Sequence, residues 1–219
     1  MDYPIHIWTD LHLEHPLCDI AGIRRAQAGV EKDGGKVITA GDIVDLWYSS
    51  LGSISPESLD ILRWLRERLI VMVPGNHDSL LVQYPISAGQ RYPYAQTEID
   101  GRLWYVEHGH LIGAWGWLFQ LLDKYDDRTK FRKIARWLVK HDTFSHSGRR
   151  SADPTFKYEA INRCKLKGST VAIIGHTHHA EIYRDLTGQT EVTYVNAGSA
   201  LGKMTEAIYT NGDFKIRGA

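Results

Sequence analysis

Val37-Ile38-Thr39-Ala40-Gly41-Asp42-Ile43-Val44-Asp45 is the stretch on which the reading of this chain turns. Its first four residues form a short apolar run of the kind a buried strand needs, and the run stops at a glycine followed by carboxylates. The pattern recurs. Ile5 to Thr9 reads as a strand entering Asp10-Leu11-His12, and Ile70 to Val73 leads to Gly75-Asn76-His77-Asp78. Leu103 to Val106 precedes His108-Gly109-His110, and Val171 to Ile174 precedes Gly175-His176-Thr177-His178-His179. Seven of the eleven histidines fall in these five clusters, so the strand ends, not the strands, carry the chemistry.

The segments between them alternate with helical patterns. Residues about 19 to 32 read as a helix, and Ser55-Pro56-Glu57 is a helix-start signal followed by Leu59, Leu62, Leu65 and Leu69 at helical spacing. Such alternation defines an α/β chain. Asp100-Gly101, set between Glu98-Ile99 and Leu103 to Val106, reads as a tight hairpin turn and makes the later part of the sheet partly antiparallel. Val192 to Val195, Ala207 to Tyr209 and Phe214 to Ile216 complete the strand set. We expect one domain over residues 1–219, with a helical cap or insert at about 111–167.

Composition narrows the class. With 219 residues, 43% apolar and 24% charged, the chain is long enough to bury a core without disulfides. Cys18 and Cys164 form no metal-type pair, which fits a reducing compartment, and Met1 to Asp10 has no charged region followed by an apolar run. No uninterrupted apolar stretch is long enough for a membrane helix. The expected location is cytoplasmic.

The net charge of zero conceals a segregation. Residues 128–150 hold eight basic side chains, Arg149 and Arg150 among them, against Asp142 alone, a local charge of +7. A solvated helix face and an anion-attracting surface both explain this run. Just before it, Trp115, Leu118, Phe119 and Leu122 fall on one helical stripe that Trp117 and Leu121 widen, which suits either core packing or an apolar groove.

Each cluster alone is weak evidence. Asp10-x-His12 suits a capped loop, Asp42 suits a cap on a following helix, and His6, flanked by Ile5 and Ile7, suits an ordinary strand histidine. His15, His141 and His146 read as surface residues. His176 and His178 would share one side of an extended segment. All five clusters at strand ends predict one site, because loops there converge at one edge of a rigid sheet. Imidazoles and carboxylates offer N and O donors to divalent first-row metals, and two ions close together need a bridging carboxylate, for which Asp42 is the natural residue.

Together, Asp-x-His, Gly-Asp-x-x-Asp, Gly-Asn-His-Asp, His-Gly-His and Gly-His-x-His resemble the calcineurin-like metallophosphoesterase superfamily, in family order from residue 5 to about 199. The resemblance implies a four-layer αββα sandwich that hydrolyses phosphomonoesters, phosphodiesters or diphosphates with two divalent metals. It assigns Asp10, His12 and His178 to one ion and Asn76, His108 and His176 to the other, bridged by Asp42, with a shared water as nucleophile. His77 is implied as the group that protonates the leaving oxygen and Asp45 as its partner, while Asp78 supports the site. His110 is either an alternative to His108 as ligand or a phosphate contact, and with it His179, Arg149 and Arg150 are substrate-binding candidates. Mn is the expected metal, with Fe, Co or Zn as alternatives.

Within the superfamily, Gly41-Asp-Ile-Val-Asp-Leu-Trp47 and the insert look most similar to the UDP-2,3-diacylglucosamine diphosphatase branch, which works at the inner membrane surface. That branch typically has Arg at the place of His77 and His-Gly-Asp at the place of His108-Gly-His110. These departures bring the chain closer to the general phosphoesterases, and a phosphodiesterase or phosphatase acting on nucleotides or nucleic acid is the alternative. Some relatives with this fold have lost catalytic residues and act as scaffolds, but here every expected ligand position is filled.

Overall fold

Short β-branched runs end where polar clusters begin. The computed structural model describes residues 3–78, 90–91, 93–113 and 154–219. Strand β1 spans Ile5–Trp8, β2 Lys36–Ala40 and β3 Leu69–Val73. Between them, α1 (Ile20–Asp33) starts at Asp19, whose side chain accepts the Gly22 N–H, and α2 (Pro56–Arg68) starts at Ser55, which accepts that of Ser58. β4 (Gln90–Arg91), β5 (Tyr94–Ile99) and β6 (Arg102–Glu107) follow, then α3 (Pro154–Leu166). Five strands complete the chain: β7 (Val171–Ile174), β8 (Glu181–Asp185), β9 (Val192–Asn196), β10 (Thr205–Thr210) and β11 (Asp213–Gly218).

The strands form two sheets, ordered β11-β10-β1-β2-β3 and β4-β5-β6-β7-β9-β8. β1, β2 and β3 are parallel, as are β6, β7 and β9, while β10, β11, β5 and β8 pair antiparallel. Ile5, Ile7, Ile38, Val71, Trp104, Val106, Val171 and Ile173 belong to the core that the two sheets enclose. The opposite faces pack helices. Trp8, Val37 and Met72 lie with Ile23, Ala26, Val30, Ile61 and Leu65 of α1 and α2, and Tyr105, Ala172 and Tyr194 lie with Ala160, Ile161 and Cys164 of α3. The result is an αββα layering, as the resemblance implied. Each interior strand is covered on both faces, which is why these strands read as near-continuous apolar runs.

The Asp100-Gly101 hairpin joins β5 and β6 in the register Ile99↔Arg102. Two strands were not expected: the two-residue β4, which pairs with β5, and β8, whose Glu-Ile-Tyr-Arg-Asp is too polar to announce itself and forms because β9 offers it a partner, Tyr183 facing Tyr194. Residues 111–113 are a turn, not helix, and most of the expected insert, including the Trp115–Leu122 stripe, the basic run, His141 and His146, lies outside the described residues. Both cysteines are free thiols. Among the described residues no helix is long and apolar enough to cross a membrane.

His6 does more than fill a strand position. Fully buried, it places Nδ1 2.8 Å from Glu206 of β10 and Nε2 3.2 Å from Asp33 at the end of α1. Glu206 also accepts the Trp8 indole N–H at 2.8 Å and the Arg217 Nε–H at 2.9 Å. Burial alone would raise the Glu206 carboxyl, but these donors outweigh it and hold it below its ordinary 4.5. Its contribution to stability is therefore present above about pH 4.5 and lost as pH falls through the lower folded-state value. Glu206→Ala strands the buried donors of His6 and Trp8, and urea unfolding at neutral pH should show a loss of about 3 kcal/mol. The variant should also lose part of the acid sensitivity of the parent protein.

Candidate metal centre

The parallel strands of both sheets deliver their carboxyl ends to one edge of the sandwich, and all five clusters meet there. Backbone hydrogen bonds tie the loop after β1 to the loop after β2: Asp10 N–H to Gly41 O (3.0 Å), His12 N–H to Asp42 O (2.8 Å), Leu13 N–H to Ile43 O (2.9 Å) and Asp45 N–H to Leu13 O (2.7 Å). Asp78, fully buried, then accepts the N–H groups of Gly75 (2.6 Å), Ile43 (2.7 Å) and Asp42 (3.3 Å), joining the loop after β3 to the same frame. Burial and the charge of Asp42 push Asp78 up to about 6.

This frame holds side chains in a backbone region most residues avoid. Asp10 (φ 52°), His12 (50°), Asp42 (52°), His176 (72°) and His178 (57°) are all left-handed. Asp and His enter this region more readily than most residues, at about 1–3 kcal/mol each. His176 and His178 therefore do not alternate along an extended segment, and Asp42 caps no helix, since turns follow it. The glycines preceding the donors make room for them. A Cβ on Gly75 would overlap the Asp42 carboxylate, and one on Gly175 would lie 2.7 Å from Asp10 Oδ2.

Asp42 is the hub. Its Oδ2 lies 3.2 Å from His108 Nε2, 3.8 Å from His12 Nε2 and 3.9 Å from His77 Nε2, while Oδ1 accepts the His77 backbone N–H at 2.8 Å. His178 Nε2 is 3.2 Å from both Asp10 Oδ1 and His12 Nε2, and Asn76 Oδ1 is 3.2 Å from His108 Nε2. Three donor sets result, each with its atoms within 4.8 Å of one another: Asp10 with His12 and His178, Asp10 with Asp42 and His108, and His12 with Asp42 and His77. Converging N and O donors at such spacing fit divalent first-row ions. His176 stands beside this group, its ring 5.1 Å from that of His108 and 6.4 Å from Phe156, and its backbone N–H bonds the Asp10 carboxylate.

The charges are balanced within the group. Burial would raise Asp42, but the neighbouring imidazoles of His108, His77 and His12 hold it well below the usual carboxylate range. Burial would lower His108, yet the neighbouring Asp42 carboxylate outweighs it and raises it to about 10. Burial lowers His12 and, with His108 and His110 nearby, drives His176 far down. His108 Nδ1 meets the carbonyl of Ala40 at 2.8 Å, which leaves Nε2 aimed at Asp42.

Asp45 is fully buried and faces two imidazoles: His12 Nδ1 at 3.2 Å from Oδ2 and His77 Nδ1 at 2.9 Å from Oδ1. The His77 contact is an ion pair whose N–H···O geometry falls short of a hydrogen bond. Burial pushes His77 down, but Asp42 and Asp45 outweigh it and the net shift is upward. His110 is buried with its ring 5.4 Å from that of His108, and His179 is exposed. Arg149 and Arg150 lie outside the described residues. His15 is not a surface residue: it is buried and packs on Tyr48 at 4.5 Å and His12 at 6.2 Å between ring centroids. Asn196 supports the last cluster through Gly175 O (3.1 Å) and Thr177 Oγ1 (2.9 Å). Trp47, to which the sequence assigned no role, stacks on His77; its place two residues after Asp45 was the available signal.

The two-sheet sandwich with a buried Asp/His cluster at its parallel strand ends, taken with a family match over residues 3–180, makes the chain a metal-dependent phosphoester hydrolase. Over residues 3–180 the chain matches the calcineurin-like phosphoesterases, and it belongs to that family. The family uses a dinuclear divalent-metal centre, and the Asp and His groups described above are able to bind metal. The fold is similar to that of an archaeal phosphodiesterase (TM-score 0.52, 15% identity, 99% of each chain covered). It is also similar to that of Vps29 from Chaetomium thermophilum (TM-score 0.57, 10% identity, 99% of this chain and 95% of that one). No functionally curated protein is significantly similar in sequence.

Proposed function

We propose that this protein hydrolyses a phosphodiester or diphosphate bond, with Asp10, His12 and His178 holding one ion, Asn76, His108 and His176 the other, and Asp42 between them. The observation that carries this reading is the buried Asp42 carboxylate with His108, His12 and His77 converging on one oxygen at 3.2–3.9 Å. When bound, two such ions supply a water acidified enough to attack, a clamp on the phosphoryl oxygens and compensation of the developing charge. His77 turns Nε2 towards the same centre and donates a proton to the departing oxygen, and Asp45 at Nδ1 favours the protonated form of its imidazole. The presence of His77 at this place supports a phosphodiester over the diphosphate that the UDP-2,3-diacylglucosamine diphosphatase branch splits. Mn is the metal we expect first.

The test is to strip the protein with a chelator and restore it with Mn, Fe, Co, Zn or Mg. Chelation should abolish turnover, and Mn should recover the highest rate. Side-by-side assays should use a chromogenic diester, a cyclic nucleotide and a lipid-bearing sugar nucleotide diphosphate. Turnover of the diesters with none of the diphosphate supports the reading; diphosphate cleavage alone would transfer the chain to the lipid branch, with contact at the membrane surface. Absence of turnover with every metal and substrate would overturn it.

A further inference from the structure

The contact between Trp47 and His77 is the closest stacking of two rings in the described part of the molecule, with centroids 3.9 Å apart and planes inclined by 24°. It is built into the backbone. Leu46 donates its N–H to the carbonyl of His77 at 3.2 Å, so the segment carrying Trp47 is tied to the residue on which the indole rests. The Trp47 N–H bonds Asp45 Oδ1 at 3.1 Å, the same oxygen that faces His77 Nδ1. On another side the His12 ring meets His77 edge-on, with centroids 4.6 Å apart and planes at 90°.

His77 thus has a partner on its face, another at its edge and Asp45 at Nδ1, and its Nε2 remains directed at Asp42. The Asp45 contact, 2.9 Å long and short of hydrogen-bond geometry, anchors one ring nitrogen and by itself leaves the tilt of the ring about that point unfixed. A stacked indole removes that freedom, because rotating the imidazole would drive its edge into the Trp47 ring. Trp47 is half-buried, so its packing there is not explained by a need to fill the core.

We infer that Trp47 is a positioning residue for the proton-donating step: its indole fixes the plane of His77 so that Nε2 points at the leaving oxygen. The inference rests on the reading of His77 given above as proton donor. It assigns Trp47 no contact with the metals or the phosphoryl group.

The experiment compares two substrates of the Mn-loaded enzyme: a diester with a nitrophenolate leaving group, which departs without a proton, and one with an alkyl leaving group, which needs it. Trp47→Leu should lower kcat on the alkyl ester about tenfold, leave KM unchanged, and change the nitrophenyl rate by less than about threefold. Trp47→Phe, which keeps an aromatic face, should restore most of the loss. In a His77→Ala background Trp47→Leu should add nothing, since a residue that acts only through His77 has nothing left to position. Proton NMR of the metal-free protein gives a second readout: the His77 ring protons should lose their upfield ring-current shift in Trp47→Leu and keep part of it in Trp47→Phe. An equal loss on both substrates, a rise in KM alone, an additive double variant, or unmoved His77 resonances would each overturn the role of Trp47. A His77→Ala variant without leaving-group dependence would instead remove the proton-donor reading on which it rests.

Discussion

Asp42→Ala is expected to lose metal and turnover together. Asp42 is 1% exposed and brings one oxygen within 3.9 Å of three imidazoles, the geometry that the proposed bridging role requires. Without it the Nε2 atoms of His108, His12 and His77 lose the one carboxylate oxygen they share, and the affinity for a second cation should collapse. Metal analysis should give at most about one ion per chain where the parent binds two, and kcat/KM should fall by at least about 10³-fold. Asp42→Asn separates charge from shape: it keeps the volume beside Gly75 and should still lose the second ion. Circular dichroism should stay native, because Asp78 holds the surrounding loops through backbone N–H groups and does not depend on the Asp42 side chain. Two bound ions and an unchanged rate in Asp42→Ala would falsify the site.

His77→Ala should behave differently. Its Nδ1 is engaged with Asp45 and its Nε2 lies 3.9 Å from Asp42, so its geometry fits either a proton donor or a ligand of the third donor set. The donor reading predicts that metal content is unchanged while kcat falls about 10²–10⁴-fold on substrates with poor leaving groups. Loss of an ion along with activity would make His77 a ligand instead. The comparison with Asp42→Ala is informative because the two residues touch the same centre, yet only one should empty it.

Much of this fold was legible because its signals are local. Val37 to Ala40, Val171 to Ile174 and the other buried strands are apolar on both faces, so their runs end abruptly where the carboxyl edge begins. Ser55-Pro56 and Asp100-Gly101 are read from residues a few positions apart, and the structure places a helix start and a hairpin at those points. β8 was missed since its polar sequence becomes a strand only beside β9, and His15 was misread because its burial depends on Tyr48, contributed by a loop more than thirty residues later.

The site shows the same division. That Asp10, His12, Asp42, Asn76, His108, His176 and His178 converge follows from one regularity, polar clusters at the ends of strands. Their backbone conformation does not: five of these seven residues are left-handed, and no short-range preference of Asp or His would select that state without the hydrogen bonds between the loops. The sequence by itself determined the class of fold, the edge at which chemistry occurs and the residues available there, because these depend on periodicity and order along the chain. Only the tertiary structure decided that Asp42 sits among three imidazoles, that Asp45 serves both His12 and His77, that Glu206 closes a buried network with His6, and that Trp47 stacks on His77. Each of these pairs residues about 30 to 200 positions apart, and the only force that brings them together is the packing of two sheets and their helices.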